Sequence, residues 1–532
     1  MTASRGAVPA GRAVLLVGTL LATLTTVPYF LAWHEPPHGY RFLGFFFQIE
    51  DIYNYLTYVQ QAEDGALLFV NKAAGPDQRP VLVNVEWLFV GRLSSLLGRQ
   101  PALAYRCVGV AAVFALLGGA VALLRRTGVP PGHTTAALLL VAFGAGLGGL
   151  RYVWLGPPAW RSLDLISGLF PFVAALVNPH FVVGSALLCW ALLAFLDGRN
   201  ARAVLLGSLL GLARPYDLAL LVAVRGLGVC RSESPGAWIR RLSPLLGFTP
   251  VLAYNLWVFY LSPGFRIFSD VRYSPPPLVD MAVALGPAAA LAAFGLFRGP
   301  GDPAARAHVI AWAGVGLALA VFRPFAISLQ FLVCIGVPLF VLGARGLSRA
   351  APRTTALLAI ALSSTSVVAL GIVLQPNPRW FVPQERFDVA LELRRACRPG
   401  QRVLAPPDIG LYAGALSSCS PLVAHPGVSD FERRVASLER FYGPASASER
   451  RRLLADEKID HLVVPGDPGP DPVAWLEAGS GFSRVSRVWG PHEVLSVYSR
   501  LPGTDPSRSQ RPTPQALDDH PVRAGERAGS FR

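Results

Sequence analysis

Long uncharged apolar stretches recur along the first three quarters of the chain, and nearly all arginines fall in the gaps between them. The first stretch, Ala13 to Trp33, is long enough to cross ~30 Å of hydrocarbon as a helix. Arg5 and Arg12 precede it. Its exit reads Tyr29-Phe-Leu-Ala-Trp33 and lacks a small-x-small pattern, so it is read as a retained span, not a cleaved leader. Further stretches follow near 107–124, 134–150, 180–196, 242–262, 281–297, 309–322, 325–343 and 354–374. Between Arg202 and Arg231 an apolar segment is interrupted by Arg214-Pro-Tyr-Asp217. Pro215 supplies the break, which makes the segment either a hairpin of two short helices or one interrupted span.

The gaps set the orientation. With the hairpin, alternate loops carry Arg125/Arg126, Arg199/Arg202, Arg231/Arg240/Arg241, Arg298/Arg306 and Arg345/Arg349/Arg353. Cytoplasmic loops collect positive charge. The alternation therefore places the N-terminus in the cytoplasm, and residues 34–100 and everything after 375 outside. A single span over 203–229 would invert every later loop and put the basic clusters outside. The hairpin is preferred, which gives about eleven spans.

From Glu385 to about Arg500 the pattern becomes that of a soluble unit. Helical periodicity over Phe387–Cys397 and Ser448–Asp456 alternates with strand-like Arg402-Val-Leu-Ala405 and His461-Leu-Val-Val-Pro465, predicting a small α/β domain. Residues 501–532 are rich in Pro, Ser, Arg and Gly with little apolar content, the composition of a disordered tail. The expected organisation is a transmembrane domain over 1–380 with its first outer loop at 34–100, an extracytoplasmic α/β domain over 381–500, and the 501–532 tail. No repeat relates the two halves of the chain.

Composition narrows the class. The 532 residues are 52% apolar and only 15% charged, where soluble domains carry about 25% charged residues. Mean hydropathy is +0.43. An ordinary soluble protein and a largely disordered one are both excluded. The net charge of +15 invites a nucleic-acid partner, but the arginines form no single basic stripe, and nucleic acid is rejected as a partner. Six cysteines with no CxxC and no His/Cys cluster at zinc spacing give no reason to expect a structural metal. Cys397 and Cys419 lie in the soluble-looking region and could form a disulfide in an oxidising compartment.

Candidate chemistry gathers on the outer side. The first outer loop contains Phe45-Phe-Phe-Gln-Ile-Glu-Asp-Ile-Tyr-Asn-Tyr55. Glu50 and Asp51 head a helix whose Ile52, Leu56 and Val59 form one apolar stripe, predicted to lie along the membrane surface. Asp51 could simply cap that helix. A carboxylate at the lipid–water boundary can equally take a proton from an acceptor hydroxyl. Arg214, Arg323 (before Pro324), and Arg266 and Arg272 (in the loop Ser262–Asp280, beside Tyr273) reach the same side from separate segments. A guanidinium fork binds phosphate oxygens bidentately and keeps its charge. Headgroup snorkelling, or an Arg214–Asp217 pair, is the plain alternative.

Asn178-Pro-His180 begins the fourth span on that face. His180 could hydrogen-bond a sugar or phosphate, or serve only as a structural partner. Gly144-x-Gly-x-Gly-Gly149 lies in an apolar stretch with no strand before it, which reads as close helix packing and not phosphate binding. Glu63 and Asp64 end the surface helix at Gly65 and read as solvated charge. No GxSxG, HExxH or Walker loop occurs, which argues against a serine hydrolase, a zinc protease or an ATPase.

Four places together resemble the GT-C superfamily of integral-membrane glycosyltransferases, which includes bacterial mannosyl- and arabinosyltransferases. They are Glu50-Asp51 with Tyr53 and Tyr55 behind it, Asn178-Pro-His180, Arg214-Pro-Tyr-Asp217, and Arg323-Pro-Phe325 leading towards Pro338-Leu-Phe340. The outer domain, with Asp408-Ile-Gly and Phe441-Tyr-Gly443, is similar to bacterial members of this kind. The resemblance covers most of 13–500 and rests on architecture more than on any one short motif.

It implies an α-helical polytopic fold in the cell (inner) membrane, with a polyprenyl-phosphate-linked sugar as donor. The acceptor would be a glycan, a lipid or a protein, with membrane lipids as further partners and neither cofactor nor metal. Asp51, with Glu50, would match the acidic pair that acts as base or orients the acceptor. The order Glu-Asp differs from the Asp-Glu pair of some relatives, which leaves either carboxylate as the base. Arg214, Arg323, Arg272 and Arg266 would hold the donor phosphate, and His180, Asn178, Tyr55 and Tyr216 would contact substrate. A transporter or lipid flippase would need charged or broken helices near the midplane, where the sequence shows one break. A polymerase or ligase typically works through Arg and His of large later outer loops, not an early acidic pair.

Overall fold

The computed structural model describes residues 9–75, 77–156, 163–165, 168–229, 235–266, 268, 276–296, 301–323, 328–375, 377–426, 428, 430–466, 476 and 480–502. Helix α1 (Ala10–His34) leads into an excursion of β1 (Tyr40–Phe42), α2 (Ile49–Glu63) and α3 (Val85–Leu96). The bundle resumes with α4 (Pro101–Arg126), α5 (Thr134–Phe143), α6 (Gly148–Leu155), α7 (Pro171–Val177) and α8 (Pro179–Leu196). It continues through α9 (Asn200–Ala213), α10 (Pro215–Val229), α11 (Gly236–Leu261) and α12 (Leu278–Leu296). Helices α13 (Pro303–Phe322), α14 (Ser328–Leu347), α15 (Pro352–Ala361) and α16 (Ser364–Val373) complete it.

The protein is a multi-pass membrane protein. Among the described residues, seven helices are long and apolar enough to cross a bilayer, or nine if α5 with α6 and α15 with α16 each form one bent span. The expected eleven counted both arms of the Arg214 hairpin. The hairpin is present, with α9 and α10 packed on each other. Its arms have 14 and 15 residues, about 21 and 22 Å at 1.5 Å per residue, short of a ~30 Å hydrocarbon core.

The two bent spans meet at their breaks. Ala145 N–H donates to Leu362 O at 2.8 Å, and Gly149 N–H donates to Thr365 Oγ1 at 2.8 Å. Backbone groups freed by each break are thus satisfied inside the protein. A Cβ on Gly149 would lie 2.6 Å from Cα of Thr365, and one on Gly146 would lie 2.1 Å from Ala284 O. The glycine run allows backbones to touch at a helix break.

The arginine-rich gaps converge at one end of the bundle. Arg126 pairs with Asp197 and reaches Asp302 at 3.8 Å, and Arg225 donates to Arg241 O at 3.2 Å. At the opposite end, β1 pairs antiparallel with β2 (Phe381–Pro383), setting Tyr40 opposite Pro383 and Phe42 opposite Phe381. This ladder ties the first long loop to the start of the C-terminal region.

That region runs α17 (Gln384–Ala396), β3 (Arg402–Leu404), α18 (Pro407–Leu416), β4 (Ser420–Pro421), α19 (Phe431–Tyr442), α20 (Ala447–Asp456), β5 (His461–Pro465), β6 (Phe482–Trp489) and β7 (Val494–Arg500). Five strands form one sheet in the order β4-β3-β5-β7-β6, parallel from β4 to β5 and antiparallel beyond. Successive side chains on a strand face opposite ways. Leu404, Leu462 and Tyr498 accordingly pack with Leu438 and Leu454, while Val403, Val463 and Val497 pack with Val389 and Ile409. A Cys397–Cys419 disulfide, with Cα atoms 5.4 Å apart, joins the end of α17 to the edge of β4.

Helix α2 is packed within the protein on most of its sides and does not bury a single apolar stripe. Ile52, Leu56 and Val59 are buried, but so are Tyr53, Asn54, Thr57 and Gln60. The helix is clasped between α3 and α18, and only a narrow strip of it stays open.

Candidate active site at the loop-bearing end

The chain enters α2 through Gln48, which occupies the N-cap position at φ 50° and makes no side-chain cap bond. Asp51 is therefore not the cap, contrary to the simpler expectation. It stands with Glu50 in the first turn, where unpaired amides favour negative charge. Glu50 is exposed. The Asp51 side chain is 47% exposed, and Nε2 of His425 lies 3.1 Å from its Oδ1. One turn later on the same face, Tyr55 stacks on Trp87 with ring centroids 4.8 Å apart, and lies 5.4 Å from the ring of His180.

A buried polar layer continues inward from Tyr55. Tyr105 Oη donates to Asn178 Oδ1 at 2.6 Å, and Asn178 Nδ2 donates to Gln48 Oε1 at 3.0 Å. His180 Nδ1 is 2.6 Å from Glu86 Oε2, and the other oxygen, Oε1, is buried with no partner among the described residues. Asn84 caps α3, accepting from the amides of Glu86 and Trp87, and so fixes where Glu86 enters.

Arg214 is wholly buried at the turn between α9 and α10, with Nε 2.8 Å from Asp217 Oδ2 and its guanidinium 5.0 Å from the Phe181 ring. Gly184 makes the room: a Cβ there would lie 2.3 Å from Arg214 Cδ and 2.7 Å from Asp217 Oδ2. The Arg214 Nη1 and Nη2 groups have no acceptor among the described residues. Tyr55, Tyr216 and Glu86 lie within electrostatic reach of this guanidinium. A buried cation is expensive unless its donors are filled, so two empty donors are capacity for an anionic oxygen. Arg106 repeats the theme. Its Nη1 donates to Ala175 O at 2.7 Å, its guanidinium lies 3.6 Å from the Tyr29 ring centre, and Nη2 has no acceptor among the described residues.

The structure thus gathers Asp51, Tyr55, Asn178, His180, Arg214 and Tyr216 around α2 and the head of α8. Arg323 ends α13 half-buried in a left-handed conformation, φ 54°. Arg266 is exposed on a turn that Phe265 holds against Tyr58, ring centroids 6.4 Å apart. Arg272, Tyr273, Pro324 and Phe325 lie outside the described residues. Gln48, Glu86, Arg106 and His425 were not foreseen. A charge one turn inside an apolar helix marked Arg106, and Asn84-x-Glu86 carries a capping signal. Nothing local marked His425.

At the far end of α2, Asp64 is exposed as expected, but Glu63 belongs to a clamp and is not solvated charge. Glu63 is buried, accepts from Ser94 Oγ, and pairs with Arg99 at 3.5 Å and Arg394 at 3.4 Å; burial raises its carboxyl above the ordinary range. Lys72 is buried and donates to Gln60 Oε1, to Gly414 O at 2.9 Å and to Ser417 O at 2.6 Å. Burial pushes its ammonium down to about 7, against the pull of Asp64 and Glu63. Arg434 donates to Ala73 O at 2.6 Å and Ala74 O at 3.0 Å. The first loop and the C-terminal region are bolted together beside the Asp51 strip.

Among the described residues one group of potential metal ligands converges, Cys397, Cys419 and His461, and its two sulfurs are bonded to each other.

No protein-family model matches this sequence, and no curated protein matches it. Among solved structures, ArnT from Cupriavidus metallidurans bound to undecaprenyl phosphate aligns with a TM-score of 0.50 at 14% identity, over 90% of this chain and 97% of that one. The chain has a GT-C-type fold. AglB, the archaeal oligosaccharyltransferase of Archaeoglobus fulgidus in complex with an inhibitory peptide and a dolichol-phosphate, aligns with a TM-score of 0.45 at 14% identity over 85% of this chain and 69% of that one.

Proposed function

We propose that the protein is a glycosyltransferase that moves a sugar from a polyprenyl-phosphate-linked donor to an acceptor hydroxyl. It works on the extracytoplasmic face of the inner membrane, with its N-terminus in the cytoplasm; the arginine-rich gaps at the end away from the site support this orientation. The observation that carries the reading is one open carboxylate, Asp51, one helical turn from Tyr55, whose ring borders a buried layer where Arg214 has two donors without acceptors among the described residues.

The acceptor hydroxyl attacks the anomeric carbon, Asp51 takes its proton, and the bond from that carbon to the phosphate oxygen breaks. Polyprenyl phosphate leaves with the bonding electron pair. Arg214 is the buried cation suited to the leaving phosphate, because its fork keeps its charge at any working pH. His180, held by Glu86, and Asn178 line the route between the two. Which sugar moves, and to which hydroxyl, is set by contacts that carry no readable code. No metal or cofactor takes part in this scheme.

The test is transfer of radiolabelled sugar from a panel of polyprenyl-phosphate sugars by purified protein with native lipids and glycans, comparing wild type with Asp51→Asn. A loss of ~100-fold or more in the variant is expected for a removed base. Transfer at full rate in Asp51→Asn would reduce Asp51 to a structural residue.

One observation favours a second reading, a transporter or flippase. The breaks of the α5/α6 and α15/α16 spans meet beside Asp164, a fully buried carboxylate whose Oδ2 accepts from Gly146 N–H at 3.2 Å while Oδ1 has no partner among the described residues. Labelled lipid-linked sugar crossing proteoliposomes without transfer would favour that reading.

A further inference from the structure

Asp51 does not act from the transmembrane bundle alone. Among the described residues, the one side chain in hydrogen-bond contact with its carboxylate is His425, from the C-terminal region, 374 residues further along the chain. His425 is nearly buried, at 12% side-chain exposure, whereas Asp51 is half open. An ionised carboxylate only accepts hydrogen bonds. Nε2 of His425 must therefore carry the proton it shares with Oδ1, which leaves Oδ2 for another donor.

The segment that brings His425 there is fixed on its N-terminal flank. Leu422 N–H donates to Val403 O at 2.8 Å, so the chain leaves the sheet edge in register. Leu422 and Val423 are both buried. The carbonyl of Val423 sits against Gly410, where a Cβ would lie 2.2 Å from that oxygen. Gly410 closes the Asp408-Ile-Gly run and gives that short motif a local role, because it lets the 422–426 segment press onto α18. Helix α18 in turn packs against α2, and Lys72 ties Gly414 O and Ser417 O of that helix to Gln60 of α2.

We infer that His425 is a positioning residue for the transfer reaction, holding one oxygen of Asp51 so that the other faces the acceptor hydroxyl, and that the C-terminal region thereby completes the reaction centre. This rests on the reading of Asp51 as base. A base whose carboxylate rotates freely presents the wrong lone pair for part of the time; a fixed donor on Oδ1 removes that freedom. The residue acts on kcat and not on substrate binding.

The test compares four purified full-length proteins with the donor found in the label-transfer assay: His425→Ala, His425→Gln, Asp51→Asn, and the double variant His425→Ala/Asp51→Asn. In His425→Ala, kcat should fall by about tenfold or more with KM for donor unchanged, and His425→Gln, whose amide can donate from nearly the same place, should recover most of that loss. The double variant should be no slower than Asp51→Asn, because groups that act as a unit are not additive. Full kcat in His425→Ala beside an impaired Asp51→Asn overturns this inference alone. Full kcat in Asp51→Asn overturns the base reading and this inference with it. Losses that multiply in the double variant, or a Gln variant as slow as Ala, also overturn it. A readout free of turnover is available in 15N-histidine-labelled protein: the ring signal that disappears in His425→Gln should shift in Asp51→Asn, and a signal that stays put overturns the contact.

Discussion

The two ends of the bundle both hold buried or half-buried arginines, but they use them differently. At the arginine-rich end, charges are matched to carboxylates or carbonyls: Arg126 to Asp197 and Asp302, Arg345 to Gly295 O, Arg225 to Arg241 O and the His308 ring. At the loop-bearing end, among the described residues, Arg214 leaves Nη1 and Nη2 empty, Arg106 leaves Nη2 empty, and Glu86 leaves Oε1 empty. Hydrogen-bonding capacity that a fold buries and does not use is costly to keep. The first end spends most of its capacity within the chain, with Arg225 Nε the one buried donor of these three arginines left without a partner among the described residues, and serves packing. The second keeps capacity for something that is not part of the chain.

The strongest way to break this contrast is to remove one arginine from each end. Arg214→Met leaves Asp217 charged and buried beside an apolar side chain, which should cost about 3–5 kcal/mol. Arg126→Met removes a half-exposed pair and should cost less than about 1 kcal/mol. Thermal unfolding in detergent measures both. The double variant Arg214→Met/Asp217→Leu sharpens the comparison. It should regain most of the stability, since a matched apolar pair is tolerated where half an ion pair is not, while label transfer stays lost. Recovery of transfer along with stability would make the pair structural only.

Lys72 gives the next largest effect and has a sign. Its ammonium is held near 7 in the folded protein against an ordinary value of 10.5. Between those values the unfolded chain binds the proton and the folded chain does not, so stability rises with pH. The slope is at most about 1.4 kcal/mol per pH unit. Below pH 7 both states are protonated and the burial penalty is felt in full. Thermal midpoints of wild type from pH 7 to 9 should therefore climb relative to Lys72→Met, and parallel curves would show that the lysine is not desolvated. The arginine-rich end holds no lysine, so the same scan on Arg126→Met should follow wild type.

Much of this architecture was legible in the chain. Apolar runs located the helices because bilayer thickness dictates their length, and Pro215 marked the hairpin because it cannot donate to a helix. Strands β3 and β5 announced themselves as short apolar runs, whereas β6 reads as mixed because Arg484, Val485 and Trp489 are exposed, and β7 because its buried run Leu495–Tyr498 includes Ser496. The site was half legible. Asp51, His180 and Arg214 stood out as charge beside apolar sequence, and Asp217 was legible as the partner of Arg214, but the partners of Asp51 and His180 were not. His425 and Glu86 owe their places to folding contacts 374 and 94 residues apart in sequence, and no local spacing encodes such a contact. Glu63 misled for the same reason, since its partners Arg99 and Arg394 come from elsewhere.

Gly184 tests the packing that keeps Arg214 in place. Adding one methyl brings it within 2.3 Å of Arg214 Cδ. Overpacking of this kind costs about 1–3 kcal/mol, and Gly184→Ala should also slow transfer by moving the guanidinium. Gly343, at the arginine-rich end, is the control, where a Cβ would meet Leu291 Cβ at 2.9 Å. Gly343→Ala should lower the thermal midpoint and leave the transfer rate of the folded fraction unchanged.

Arg323 gives the smallest change in stability and decides a question that proximity leaves open. It holds φ 54° at the end of α13, a conformation that costs an L-residue about 1–2 kcal/mol and that strained non-glycine residues adopt most often at functional sites. Arg323→Gly relieves that strain but frees the unfolded chain by about 0.4–1 kcal/mol, so the thermal midpoint should rise slightly or stay level. A variant this neutral for folding isolates the side chain. If transfer falls while KM for the lipid-linked donor rises, the guanidinium binds the donor from outside the buried layer, and the strain is kept for that purpose. If rate and KM are both unchanged, Arg323 leaves the donor set, and Arg214 with its two empty nitrogens bears the phosphate without it.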